Sequence, residues 1–235
     1  MVEDLMPVLA SIPSPSSNVL DIGPFAVHYY GIFIGLGVVA AAIVTTRRYE
    51  RFGGDTTGLD SVIMWTVALG FAGARLAYVS THLSRYDGRP WGALYIWEGG
   101  LALFGGITVG AITAIVLLRR RGFSVPAFAD AIAIGLPLAQ AIGRWGNYMN
   151  QELFGTPSTL PWAVEIEAAR RPAEYAAFET FHPTFLYESL WNVGIVVPAI
   201  LLPVNSAERC SAAASIPLVC TGVSSLRLAI LAGTV

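Results

Sequence analysis

From Gly143 to Gly155 the chain reads Gly143-Arg144-Trp145-Gly146-Asn147-Tyr148-Met149-Asn150-Gln151-Glu152-Leu153-Phe154-Gly155, a guanidinium, carboxamides and a carboxylate set between glycines beside an apolar segment. A guanidinium presents a planar fork that fits phosphate oxygens, and small residues let a headgroup or another backbone come close. If the run continues as helix, Arg144, Asn147 and Asn150 recur at three-residue steps on one side, with Glu152 a turn further along. The competing reading is an internal ion pair, Arg144 with Glu152, that locks a helix–loop corner. An ionised group at the edge of a low-dielectric layer needs a partner or water, so either reading makes this stretch costly to keep.

Three further segments carry groups of the same kind. Arg75, in Gly70-Phe71-Ala72-Gly73-Ala74-Arg75-Leu76-Ala77-Tyr78, stands inside an apolar run where an isolated cation costs at least a few kcal/mol. It should face the protein interior, either holding a lipid phosphate or pairing with Glu98, Glu152 or Glu188. In His182-Pro183-Thr184-Phe185-Leu186-Tyr187-Glu188, Pro183 suits a helix start and Glu188 falls one turn inside, away from lipid. Imidazole as a side-chain type can serve as a general base, which makes His182 a candidate, and a capping or interfacial role is the plainer alternative. The run Glu98-Gly99-Gly100-Leu101-Ala102-Leu103-Phe104-Gly105-Gly106 allows close helix packing or room for a bulky ligand. It lacks the strand-to-helix context and the terminal Lys-Ser/Thr of a nucleotide loop.

The elements that must position these groups are membrane spans. Of 235 residues, 54% are hydrophobic and only 13% charged, and the mean hydropathy is clearly positive. Residues 25–46, 61–81, 99–118 and 185–204 approach the roughly 20 apolar residues that a spanning helix needs. A fifth stretch, 125–142, is shorter and interrupted by Asp130 and Pro137, so it requires neighbours to satisfy its backbone. Residues 212–232 are an uncertain sixth. The expected fold class is therefore all-α, a polytopic transmembrane helix bundle of about five spans plus that C-terminal segment. Arg47, Arg48 and Arg51 follow the first span and Arg119, Arg120 and Arg121 the third, while residues 1–24 have no Lys or Arg. The positive-inside bias puts both clusters in the cytoplasm and the N-terminus, residues 83–97 and residues 143–183 outside.

Other features exclude or stay quiet. Glu3 and Asp4 replace the positive n-region of a cleavable signal peptide, so the first span reads as an uncleaved anchor. Cys210 and Cys220 have neither metal-ligand nor framework spacing and read as small buried hydrophobes. No basic stripe suggests nucleic acid, and no metal or cofactor is expected. The Ser/Pro-rich residues 11–17 read as a solvated lead-in.

Together with His28-Tyr29-Tyr30-Gly31, these segments, in order over residues 23–197, closely resemble the bacterial prolipoprotein diacylglyceryl transferase family, whose signature is the stretch from Gly143 to Gly155. The resemblance implies a multi-pass enzyme of the bacterial plasma (inner) membrane. It would move the diacylglyceryl group of phosphatidylglycerol onto the lipobox cysteine thiol of a prolipoprotein signal peptide and release glycerol phosphate. Cations near the phosphate would stabilise the charge that develops as the thiolate attacks, and a base would take the thiol proton. By resemblance Arg144 recognises phosphatidylglycerol, Tyr30, Asn147 and Glu152 surround the headgroup, Gly155 closes a turn, and Arg75 and Glu188 are further binding candidates.

Two departures stand out. Where many members carry a histidine before the third span's Gly-Gly, this chain has Phe104, so a base is sought among Tyr30, Glu152 and His182, or in the leaving group itself. After about residue 203, the family's arginine- and glutamate-bearing helix gives way to a Ser/Ala/Cys-rich tail. The chain thus divides into a transferase domain, 1–204, and an atypical tail, 205–235, with reduced or absent activity the expectation for this form. The rivals are a catalytically impaired membrane lipid-binding relative and a small transporter. A transporter would place its polar groups at the midplane in broken helices, not at one side.

Overall fold

The structure, a computed structural model, describes residues 11–23, 25–95 and 99–201. Its elements run β1 (Val19–Ile22), β2 (Phe25–His28), α1 (Tyr29–Arg51), α2 (Leu59–Thr81), α3 (Leu103–Arg120), α4 (Val125–Asn150), β3 (Val164–Glu165), β4 (Thr180–Phe181) and α5 (Thr184–Leu201). The helical class is as expected: α1 to α4 are each long and apolar enough to cross a membrane. The span expected over 185–204 falls on α5, and the tail lies outside the described residues. Two small antiparallel sheets, β1–β2 and β3–β4, were not foreseen.

The largest departure in the helices is α4. The apolar window closes at Ile142, yet the helix continues through the polar run to Asn150 and holds both Asp130 and Pro137. Helical hydrogen bonding does not need apolar side chains, only residues without a strong competing conformation. It stops where Gln151 turns left-handed, φ +53°. The last two turns of α4 are therefore the polar cluster itself.

The chain forms two compact units, Met1–Thr45 with Asp130–Val235, and Thr46–Ala129. In the second, α2 and α3 pack backbone to backbone through glycines. A Cβ on Gly73 would lie 2.5 Å from Val109 Cβ, and one on Gly105 would lie 2.3 Å from Ala77 Cβ. The Gly-rich run at the start of α3 thus serves close packing at Gly105. The Ala102 N–H donates to the Ala74 carbonyl at 2.9 Å and fixes the register. At the other end of α3, Gly122, φ +77°, closes a Schellman motif: the Gly122 N–H donates to Arg119 O and the Phe123 N–H to Leu118 O.

In the first unit α1 and α4 also meet at glycines. A Cβ on Gly37 would reach to 2.9 Å from the Ala139 carbonyl oxygen, and one on Gly135 to 2.6 Å from Thr45 Oγ1. On α5, Ser189 Oγ donates to the Ala141 carbonyl at 2.7 Å. Phe185 sits with its ring centroid 5.4 Å from that of Trp145 and 4.8 Å from that of Tyr148. Beyond α4 a small core of Val164, Ile166, Phe181 and Phe185 collects Ile12, Phe154 and Tyr175 around it.

Ile12 belongs to the segment read as a solvated lead-in, and that reading is corrected. Its N–H donates to Ala163 O at 2.8 Å and its carbonyl accepts from the Glu165 N–H at 2.9 Å, a parallel bridge to Val164. Ser14 Oγ donates to Glu165 O, and Tyr148 Oη donates to Pro13 O at 2.9 Å. The prolines and serines suggest solvent because they lack apolar bulk, but this strap is held through its backbone, its serine hydroxyls and one isoleucine.

Candidate functional site

The polar residues at the end of α4 form one connected network within the first unit. Arg144 Nη2 lies 2.6 Å from Glu188 Oε2, and the side chains are 18% and 9% exposed, respectively. Gln140 Nε2 donates to the same carboxylate oxygen at 3.4 Å. The other side of the fork, Nη1, donates to Asn147 Oδ1 at 3.4 Å. Asn147 in turn donates from Nδ2 to Glu152 Oε1 at 2.9 Å, and Asn150 Nδ2 donates to that oxygen at 3.3 Å. Asn18 Nδ2 extends the chain to Asn150 Oδ1 at 3.5 Å.

The ion pair therefore differs from the one the spacing suggests. Arg144 pairs with Glu188 on α5, not with Glu152. Because Gln151 is left-handed, the chain leaves the helix before Glu152 and brings its carboxylate to Asn147 and Asn150. Glu152 reaches Arg144 only through Asn147, and its own residue is exposed. The common side of Arg144, Asn147 and Asn150 is as expected, one network along α4.

Tyr30, on the first turn of α1, crosses α4 at Gly146, where an added Cβ would lie 2.8 Å from Tyr30 Cδ2. Its hydroxyl lies within electrostatic reach of both Glu152 and Arg144. Gly155 closes the turn after α4: its N–H donates to His182 O at 3.0 Å, and a Cβ there would come within 2.9 Å of His182 Cβ. The glycine is required for space, since its backbone is in the ordinary region. Thr184 Oγ1 donates to Leu153 O, which ties the start of α5 to the same turn.

His182 is turned to other partners. Its Nδ1 lies 3.1 Å from Tyr187 Oη, which accepts a hydrogen bond from Trp162 Nε1 at 3.0 Å. With Trp162 as donor, the Tyr187 hydroxyl hydrogen is available to His182 Nδ1, which fixes the orientation of the ring.

Arg75 belongs to the second unit and is buried. Its Nε donates to Ala93 O at 2.7 Å, Nη2 to Gly92 O at 2.8 Å, and Nη1 to Gly99 O and, at 3.0 Å, to Gly100 O. The guanidinium carbon also lies 5.6 Å from the Tyr86 ring centroid. Among the described residues carbonyls take this cation, and four of its five N–H groups are occupied by them. Glu98, one of the partners considered for it, lies outside the described residues. Gly100, φ +81°, fits under the Tyr78 ring, where a Cβ would meet Cε1 at 2.4 Å. Phe104 is 79% exposed on the first turn of α3.

Gln140 and Asn18 join the network and Gln151 braces the turn beside it, bonded to Glu167 and Pro15, none of them among the expected site residues. Gln140 had a legible signal, a carboxamide in an apolar run four residues before Arg144 and so on its face of the helix. Asn18 and Gln151 act through contacts distant in sequence.

Comparison with known proteins bears on the same chain. The family model described as prolipoprotein diacylglyceryl transferase matches residues 17–230. The chain belongs to this family. It is 50% identical over 190 residues to phosphatidylglycerol–prolipoprotein diacylglyceryl transferase 2 of Streptomyces coelicolor, covering 80% of this chain and 60% of that protein. It is 46% identical over 195 residues to the transferase of Streptomyces griseus, covering 82% and 59%. Against the transferase of Mycobacteroides abscessus the identity is 43% over 211 residues, covering 83% and 61%. The chain thus spans about 60% of the length of these relatives. The family match runs to residue 230 and includes most of the atypical tail.

Proposed function

We propose that this chain transfers the diacylglyceryl group of phosphatidylglycerol to the lipobox cysteine thiol of a prolipoprotein. The sulfur attacks the glycerol carbon that bears the phosphate ester, the C–O bond breaks, and the electron pair leaves on glycerol phosphate while the thiol proton passes to a base. The observation that carries this reading is Arg144, largely enclosed near the end of α4 and anchored from behind by Glu188 and Gln140. Anchoring one edge of the fork leaves further N–H groups for phosphate oxygens and fixes their direction before the substrate arrives.

The remaining residues take roles that follow from their places. Asn147 links the phosphate ligand Arg144 to Glu152, whose exposed carboxylate is suited to the headgroup hydroxyls. Tyr30 stands across Gly146 with its hydroxyl under the influence of both charges, and with Glu152 it is the candidate to relay the thiol proton. Gly155 and Thr184 shape the turn that carries Glu152. Glu188 supports Arg144 and does not itself meet the anionic lipid, because its charge opposes phosphate. Arg75 gathers the carbonyls of Gly92, Ala93, Gly99 and Gly100 in its own unit, and the His182 ring is held by Tyr187. In this reading the protein is a multi-pass protein of the bacterial plasma membrane, N-terminus outside, with the α4 cluster toward the outer leaflet.

The test is direct. Purified chain is incubated with phosphatidylglycerol vesicles and a lipobox peptide, and the peptide is weighed for an added diacylglyceryl group. Arg144→Ala should cut the transfer rate by about 10²–10³, the usual loss for one donor to a developing oxyanion. Arg144→Lys should not restore it, since a point charge lacks the fork. An Arg144→Ala protein that transfers at the parent rate would refute the anchor role.

A further inference from the structure

Glu152 is delivered by a turn that its own sequence disfavours. Gln151 and Leu153, on either side of it, both take φ of +53°, a region that side-chain-bearing residues rarely occupy. Such a conformation persists only where surrounding contacts over-determine it. At Gln151 they are visible. The residue is 7% exposed, its Oε1 accepts from the Glu167 N–H at 2.8 Å, and its Nε2 donates to the Pro15 carbonyl at 3.5 Å. One carboxamide therefore joins three stretches of chain: the end of α4, the strap before β1, and the segment after β3.

Both stretches are themselves fixed. The strap is bound to β3 through Ile12 and Ser14, and to α4 through Tyr148 Oη and Pro13 O. The segment after β3 is bound through Arg170 Nη1, which donates to Asn150 O at 3.1 Å and so covers the last helical carbonyl. On the far side of Glu152, Thr184 holds Leu153 O. The Glu152 backbone is thus clamped before and after, while its carboxylate projects to Asn147 and Asn150.

We propose that Gln151 is a positioning residue for Glu152: its buried carboxamide holds the left-handed turn that aims the Glu152 carboxylate along the Arg144–Asn147 network. The inference rests on the function proposed above, in which Glu152 meets substrate, and deepens it. Gln151 touches no substrate. A carboxamide suits the site, which offers one N–H and one C=O on different stretches of chain, because its acceptor and donor sit on separate atoms of one planar group.

The experiment separates this role from simple stability and from the function itself. Gln151→Gly removes the carboxamide but accepts the positive φ, so it should fold where Gln151→Ala is strained. Hydrogen exchange in phosphatidylglycerol nanodiscs then reads the Glu152 and Gly155 amides, which are bonded to Asn147 O and His182 O. Gln151→Gly should speed their exchange at least tenfold and leave the amides in the middle of α4 unchanged. In the transfer assay it should lower kcat about tenfold with little change in KM, and it should add nothing in a Glu152→Ala background. Unchanged exchange at Glu152 and Gly155, or a loss that multiplies fully onto Glu152→Ala, would overturn the proposal. If the unmodified chain transfers nothing, the proposed function falls, and exchange alone decides the role of Gln151.

Discussion

Arg144 and Glu188 form a largely enclosed pair, and such pairs respond asymmetrically to substitution. Removing one partner leaves an uncompensated buried charge, a loss of about 3–5 kcal/mol, whereas replacing both by apolar groups is often tolerated. Glu188→Ala should therefore destabilise the protein by about that amount, and Glu188→Ala with Arg144→Met by clearly less. Thermal unfolding in detergent measures both; equal losses would mean that the pair is not coupled. That Arg144, Asn147 and Glu152 belong to one polar cluster was legible in the sequence, because polar groups beside an apolar run need partners. The partner of Arg144 was not. Spacing along a helix pointed to Glu152, but the left-handed Gln151 redirects the chain, and a tertiary contact with α5 wins.

Helix packing makes its own predictions. Gly73 and Gly105 sit where α2 and α3 touch, and any side chain there collides with Val109 or Ala77. Gly73→Val and Gly105→Val should each destabilise by about 1–3 kcal/mol through overpacking. Gly31→Ala, where a Cβ meets nothing within 4 Å, should be neutral or slightly stabilising. A thermal scan that ranks Gly31→Ala with the other two would contradict the packing. The strap makes a parallel case. Ile12→Asp should put a charge into the Val164–Phe181 core and raise proteolysis of residues 151–183, and unchanged cleavage would return the strap to solvent. The long helices were readable from composition and length. The sheets were not, because strands of two residues carry no period and a strap held by backbone bonds leaves no apolar pattern. The extent of α4 was left open for a related reason: apolarity marks where a helix contacts lipid, not where its hydrogen bonding ends.

Across the molecule, the described residues include four helices able to span a membrane, and with family membership these make it a multi-pass membrane protein. Its orientation is a prediction from the arginine clusters. With Cys210 and Cys220 replaced by serine, an impermeant maleimide added to intact cells should label Gly88→Cys and spare Asp55→Cys, and the reverse pattern would invert the topology. Under the proposed function, that predicted topology would set the α4 network at the leaflet where a lipobox cysteine emerges. Phe104 and the tail after residue 204 bear on how complete the catalytic set is, and product formation answers that for the whole chain at once. The decisive reading is the mass of a lipobox peptide after incubation with the purified chain in phosphatidylglycerol vesicles. A gain equal to one diacylglyceryl group, lost with Arg144→Ala and absent when the cysteine is serine, is the expected result. An unchanged peptide mass with well-folded protein would contradict the transferase function.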